Sequence, residues 1–151
     1  MTDLFGFESD FVDSLRCIPM AARYRLDLSG VKLKLNEWSK LDRAARRALV
    51  EGPCGTPQEI DAYRETVSAR VAEACGHRPS LLPDPVDPQW EAATVPAQVR
   101  EKAAAEGIAL DDPAWNSLTV LQRFALIKLS RPGHENLNFR PAAREFGLAG
   151  T

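Results

Sequence analysis

Three cysteines, Cys17, Cys54 and Cys75, are the residues best suited to redox or metal chemistry in this chain, and their spacing limits what they can do. A cluster of iron and sulfur held within one chain needs about four thiolates, commonly in close-set pairs. No C-x-x-C pair and no fourth thiol occur. Cys75-Gly76-His77 offers two metal ligands and His134 a third, but zinc sites use more ligands, more tightly spaced. A core thiol and a surface imidazole are the expected states. Cys17 follows Arg16 just before a helix start, a setting that lowers a thiol pKa, against the plainer role of a small core residue. The other routes to chemistry are closed: no G-x-S-x-G elbow, no phosphate-binding G-x-x-x-x-G-K-[ST] and no H-E-x-x-H is present. Asp111 and Asp112 stand where a helix begins and read as a cap, not a catalytic pair. The chain is therefore not expected to be an enzyme, and no resident metal or cofactor is assigned.

Docking is better represented. Residues 16 to 47 hold nine bases (Arg16, Arg23, Arg25, Lys32, Lys34, Lys40, Arg43, Arg46, Arg47) against three acids, whereas residues 1 to 15 hold four acids and no base. Such a segment suits an acidic partner, and a solvated helix face is the simpler alternative. Arg16, Cys17, Lys32, Lys34, Trp38, Arg43, Arg46, Arg47 and Cys54 are candidate partner contacts. Arg123 and Lys128 join them from within an apolar helix, where buried ion pairs compete with snorkelling to the surface. Net charge is −2 and pI about 5.7, which counts against nucleic acid.

These residues need a scaffold, and its clearest piece is Leu118 to Leu129. Leu118, Leu121, Ala125 and Leu129 form one stripe and Val120, Phe124 and Ile127 the next, so both flanks need covering. Thr119 and Gln122 make a capping box, and Arg131-Pro132-Gly133 stops the helix. Before it, Pro19 and Gly30 bracket a helix; Val31 to Leu35 alternates as an extended connector or edge segment without a convincing partner strand. Trp38, Leu41, Ala45, Ala48 and Leu49 recur at helical spacing. Thr56-Pro57-Gln58-Glu59 is the best-marked start of all, leading through Ile60, Tyr63, Val67, Val71 and Cys75 to Gly76. Five prolines between His77 and Pro96 exclude helix and sheet ladders and predict an ordered strap over the core. An alanine-rich helix, 97–106, closes at Gly107, and Asn138 caps a last one that Gly147 ends. Phe5, Phe7, Phe11, Leu15 and Ile18 make an aromatic-rich beginning that should dock on the core. No internal repeat is evident.

A chain of 151 residues can bury roughly 70% of its unfolded surface, and 44% hydrophobic content with mean hydropathy −0.27 is ordinary for a globular protein. The expectation is an all-α single domain, 1–151: a compact bundle of about five to seven helices around a central apolar helix, with a proline-rich strap at 77–96. No apolar run approaches the roughly 20 residues of a membrane span. Met1-Thr2-Asp3-Leu4 lacks the basic and apolar regions of a secretory signal, so a cytoplasmic location with reduced thiols is expected.

Longer strings carry a resemblance. Phe7-Glu8-Ser9-Asp10-Phe11-Val12-Asp13-Ser14-Leu15-Arg16-Cys17-Ile18-Pro19-Met20, Lys32-Leu33-Lys34-Leu35 with Trp38, and Pro53-Cys54 are similar to the nitrate reductase-associated protein family. So are the stretch from Leu118 to Arg131, His134-Glu135-Asn136 and Glu145-Phe146-Gly147, in the same order. The resemblance implies a small accessory protein of assimilatory nitrate reductase, a molybdenum-cofactor and iron–sulfur enzyme. It implies no catalytic or ligand residue. On this footing the expected role is a maturation factor that binds the apo-enzyme during cofactor insertion. The alternatives are a small stoichiometric subunit or electron-transfer adaptor, a nucleic-acid-binding regulator, and a thiol or metal carrier built on Cys17 and Cys54.

Overall fold

The computed structural model describes residues 5–6, 18–84, 86–131 and 138–148. Eight α-helices and one pair of two-residue strands are found among them, so the chain is all-α in class. The chain divides into two compact units, with the boundary between Val86 and Asp87.

In the first unit, Pro19 supplies a fixed φ of −58° at the N-cap of α1 (Met20–Ser29), and Gly30 ends that helix at φ 72°, a left-handed conformation that suits glycine. β1 (Val31–Lys32) follows, then α2 (Leu35–Lys40), α3 (Arg43–Glu51) and α4 (Pro57–Cys75). Helical spacing from Trp38 to Leu49 suggests a single segment, but the structure breaks it. Asp42 Oδ1 accepts from Ala45 N–H at 2.8 Å and starts a second helix, while Leu41 is extended at φ −74°, ψ 143°. Thr56 and Glu59 form the expected capping box of α4, each side chain accepting the other's backbone N–H at 3.1 Å.

α1 packs on α3 and α4, and α2 on α4. Ala21, Ala22, Leu26, Trp38, Leu41, Leu49, Tyr63, Val67 and Val71 are buried where they meet. The Tyr63 hydroxyl donates to Leu49 O at 2.6 Å, and burial pushes its pKa up. Arg25 Nε donates to Gly52 O at 2.9 Å and Arg64 Nε to Ser29 O at 2.8 Å, tying the helix ends together.

The connector does have a partner strand. β2 (Ser80–Leu81), inside the proline-rich strap, pairs antiparallel with β1, Val31 opposite Leu81 and Lys32 opposite Ser80. Pro79 and Pro83 flank the paired residues instead of occupying them, so the ladder keeps its N–H groups. The Leu82 N–H adds a bond to Gly30 O at 2.8 Å.

The second unit opens with a 3₁₀ turn at Gln89–Glu91 and continues through α5 (Ala97–Ala105), α6 (Asp112–Ser117), α7 (Val120–Leu129) and α8 (Phe139–Glu145). α7 is its core element. Phe124, Ala125, Leu126 and Leu129 are at most 1% exposed, and the Thr119–Gln122 capping box is formed. Trp90 packs edge-on against Phe124, ring centroids 5.4 Å apart. Asp111 Oδ1 accepts from Ala114 N–H at 2.9 Å as the cap of α6. Asn138 stands before α8 without a side-chain capping bond. Phe5 packs on Phe146 at 5.0 Å; Phe7, Phe11 and Leu15 lie outside the described residues.

A repeat that sequence reading missed becomes visible here. In the register that puts Trp38 on Trp115, Pro19 falls on Pro96, Gly30 on Gly107, Leu41 on Leu118, Arg46 on Arg123 and Leu49 on Leu126. The elements correspond as well. Both prolines precede helices, of ten and nine residues; both glycines have positive φ, 72° and 69°; both tryptophans sit in six-residue helices, 3% and 0% exposed. Each of those short helices ends at an extended leucine whose N–H bonds the tryptophan carbonyl at 3.1 Å.

An arginine from the following helix then closes each turn. Arg46 donates from Nε to Trp38 O at 3.3 Å and from Nη2 to Ser39 O at 2.9 Å; Arg123 does the same to Trp115 O at 3.1 Å and Asn116 O at 3.0 Å. Their guanidinium carbons lie 5.7 and 5.9 Å from the indole centroids. The last carbonyls of a helix lack partners within it, and a planar guanidinium can fill two at once while stacking on the ring.

Arg46→Ala and Arg123→Ala should each cost about 2 kcal/mol in urea unfolding, given two or more charge-assisted bonds apiece, and lysine should restore little of it. Equal midpoints for wild type and both variants would contradict the clasp. The indole N–H groups differ: Trp115 Nε1 donates to Ala92 O at 2.9 Å, while buried Trp38 Nε1 has no hydrogen-bond partner among the described residues. Trp115→Phe should therefore cost about 1 kcal/mol more than Trp38→Phe.

Candidate functional site

The basic candidates of the first unit separate by burial. Lys32 on β1, Lys34 at the N-cap of α2, and Arg43 and Arg47 on successive turns of α3 are exposed. None of these four is in a salt bridge among the described residues. Arg43 and Arg47 share one helix face by their i, i+4 spacing, and Lys40 ends the preceding helix. These residues remain available to a partner.

The remaining candidates are placed elsewhere. Trp38 is 3% exposed and offers no surface, and the neighbouring Arg46 is committed to the carbonyls of α2. In the second unit Arg123 turns to backbone carbonyls, and it forms no ion pair among the described residues. It adds a third bond, Nη1 to Trp90 O at 3.2 Å, and so fastens the 3₁₀ turn to α6 and α7. Lys128 is half-buried with Nζ 5.1 Å from the Phe124 ring centroid. Arg16 and Cys17 lie outside the described residues, as does His134.

Cys54 is buried beside α1, its Sγ 3.8 Å from Arg25 O. Burial pushes this thiol up, more than the Arg25 guanidinium draws it down. A raised pKa keeps it protonated near neutrality, the wrong state for a nucleophile or ligand.

The carboxylate of Glu37, only 4% exposed, was not singled out by sequence. Its Oε1 accepts from Lys34 N–H at 2.9 Å and its Oε2 from His77 Nε2 at 2.8 Å. Burial raises this carboxyl, but the two hydrogen bonds and the Lys34 charge outweigh it and hold the group below its ordinary value of 4.5. Cys75, two residues before His77, has its Sγ 4.0 Å from Glu37 O. His77, weighed as a metal ligand from sequence and expected as a surface imidazole, is joined to a carboxylate that anchors α2 to the end of α4. Among the described residues, no group of three or more His, Cys, Asp or Glu is placed to hold a metal ion. The one sequence clue to Glu37 was its position three residues after Lys34, a capping spacing disguised by a lysine where serine or threonine is usual.

An open groove of about 250 Å³ lies between the start of α3 and α4. Lys40 and Arg70 line it together with Asp42 and Glu73, a balanced set that favours neither sign of ligand. What the unit exposes in this region is a set of cations: Lys40, Arg43 and Arg47 around the α2–α3 turn, with Lys32 and Lys34 on the segment that leads into it. No helix of the described residues is long and apolar enough to cross a membrane.

Comparison with known families gives one match: the model for the conserved nitrate reductase-associated protein family covers residues 4–146. No curated protein and no solved structure matches the chain.

The Glu37 contacts set a pH dependence. Because its pKa is depressed in the folded state, its contribution is complete above the ordinary carboxylate range and disappears as pH falls through the lowered value. Urea unfolding should show wild type more stable than Glu37→Gln at pH 7, with the gap closing under acid conditions below 4.5. A gap that is independent of pH would refute the stabilising role of the ionised Glu37 carboxylate. Thiol labelling supplies a second check: a disulfide reagent should modify Cys75 well before buried Cys54 in the native chain, and both at similar rates in urea.

Proposed function

Since the chain belongs to the conserved nitrate reductase-associated protein family, we propose that it is a non-catalytic accessory protein that binds nitrate reductase and promotes formation of the active enzyme. The match over residues 4–146 carries this reading. The finer assignment is to the assimilatory, cytoplasmic reductase, bound in its apo form while the molybdenum cofactor is inserted. Support comes from the kind of surface the chain offers. Around the α2–α3 turn it exposes ammonium and guanidinium groups suited to holding a protein, and its buried thiol, Cys54, is held protonated. A holding protein needs a rigid frame and a recognisable face. The clasped helical turns provide the first, and the basic α2–α3 turn the second.

Co-expression of the tagged chain with the reductase of its host, followed by capture and measurement of molybdenum and iron in the captured enzyme, tests the assignment. Cofactor-poor reductase is the expected result, with release once loading is complete. Fully loaded, active reductase in equal stoichiometry would replace the maturation role with that of a subunit, and capture of no reductase would defeat the accessory reading as a whole.

A further inference from the structure

The repeat allows the two units to be compared position by position, and the comparison isolates one surface. Positions that build the module are alike in both copies: the proline and glycine that bound the first helix, the tryptophan, the extended leucine, the clasping arginine and the leucine one turn beyond it. Exposed positions of the first copy are not. Lys32, Lys34, Lys40, Arg43 and Arg47 correspond to Ala109, Asp111, Ser117, Val120 and Phe124. Over residues 18–52 the first copy has eight bases and four acids, against four and four over residues 95–129 of the second. A module repeated for stability alone has no need of this difference.

The α3 position of Arg47 is the most informative. Its counterpart on α7, Phe124, is fully buried because the chain's own Trp90 covers it edge-on. Arg47 is exposed, as is Arg43 one turn before it, and neither is in a salt bridge among the described residues. The Arg47 position is thus closed by an internal aromatic contact in the second unit, where the Arg43 position is an exposed Val120, and in the first unit both positions are open and cationic. Two arginines at i, i+4, with Lys40 three residues before the first, present donors suited to carboxylates.

We infer that the Lys40–Arg43–Arg47 face of the first unit is the surface that docks an acidic face of a protein partner, which, on the reading above, is nitrate reductase. A protein is favoured over nucleic acid because the whole chain carries net charge −2, so a polyanion tracking beyond this face would meet repulsion. The groove that Lys40 also lines, with Arg70 against Asp42 and Glu73, favours neither sign, so the acidic preference rests on Arg43 and Arg47. Long basic side chains at the rim act chiefly on the rate of encounter, which makes salt dependence their signature.

The test is surface plasmon resonance of the full chain on immobilised apo- and cofactor-loaded nitrate reductase, at about 50 and 300 mM salt. The double reversal Arg43→Glu with Arg47→Glu should weaken binding at least about tenfold, mostly through the association rate, and flatten its salt dependence. Arg43→Gln with Arg47→Gln should fall between it and wild type. Arg140→Glu, an exposed reversal on α8, should leave binding unchanged. All variants should unfold near the wild-type temperature because the altered residues are exposed. Wild-type binding that survives the double reversal would overturn the face and leave the accessory role standing. Absence of wild-type binding to either form of the reductase would overturn both. Tighter binding to a DNA duplex than to the reductase, lost on the same reversal, would reassign the face to nucleic acid and overturn the inference.

Discussion

Six residues are too few for a helix to hold itself together in water, since nucleation costs more than so few hydrogen bonds return. Yet α2 and α6, each of that length, each carry a buried tryptophan, Trp38 and Trp115. The guanidinium of the next helix resolves the difficulty. Arg46 and Arg123 fill the orphan carbonyls at the end of each short helix and lie over the indole, joining the cap of one helix to the first turns of another. Tight turns at Leu41-Asp42 and Leu118-Thr119 follow from this constraint, and so does the burial of both leucines. The clasp also makes clear why two of the chain's basic residues are withdrawn from binding.

Where a signal is local, the sequence declares it. The capping boxes at Thr56 and Thr119, the left-handed glycines at 30, 76 and 107, and the cap at Asp111 all lie where short-range chemistry puts them. The apolar character of α7 correctly marks a core element of its unit. What escaped depends on distance along the chain. Pairing of Val31 with Leu81, and of Glu37 with His77, joins residues whose own neighbourhoods give no hint of each other. The strand within the strap is hidden because a high density of prolines argues against any ladder, whereas Pro79 and Pro83 sit to either side of it.

The repeat was hidden for a different physical reason. Only the residues that define the turn geometry persist, and hydrophobic periodicity weighs them no more than any others. α3 is strongly two-faced, whereas α7 is apolar almost throughout, so equivalent helices look unlike until their ends are compared. For the candidate site, exposure was the missing quantity. Basic residue type alone could not separate Arg46 from Arg47, adjacent in sequence, one held against helix carbonyls and the other facing water.

Division of the tryptophans has an optical consequence. Trp38 is the sole indole of the first unit, and Trp90 and Trp115 belong to the second. An indole whose N–H is free of a hydrogen bond differs in its emitting state from one that donates to a carbonyl, as Trp115 does. The molecule therefore carries a native fluorophore that reports on the first unit once the other two are silenced, buried two residues before Lys40 and five before Arg43.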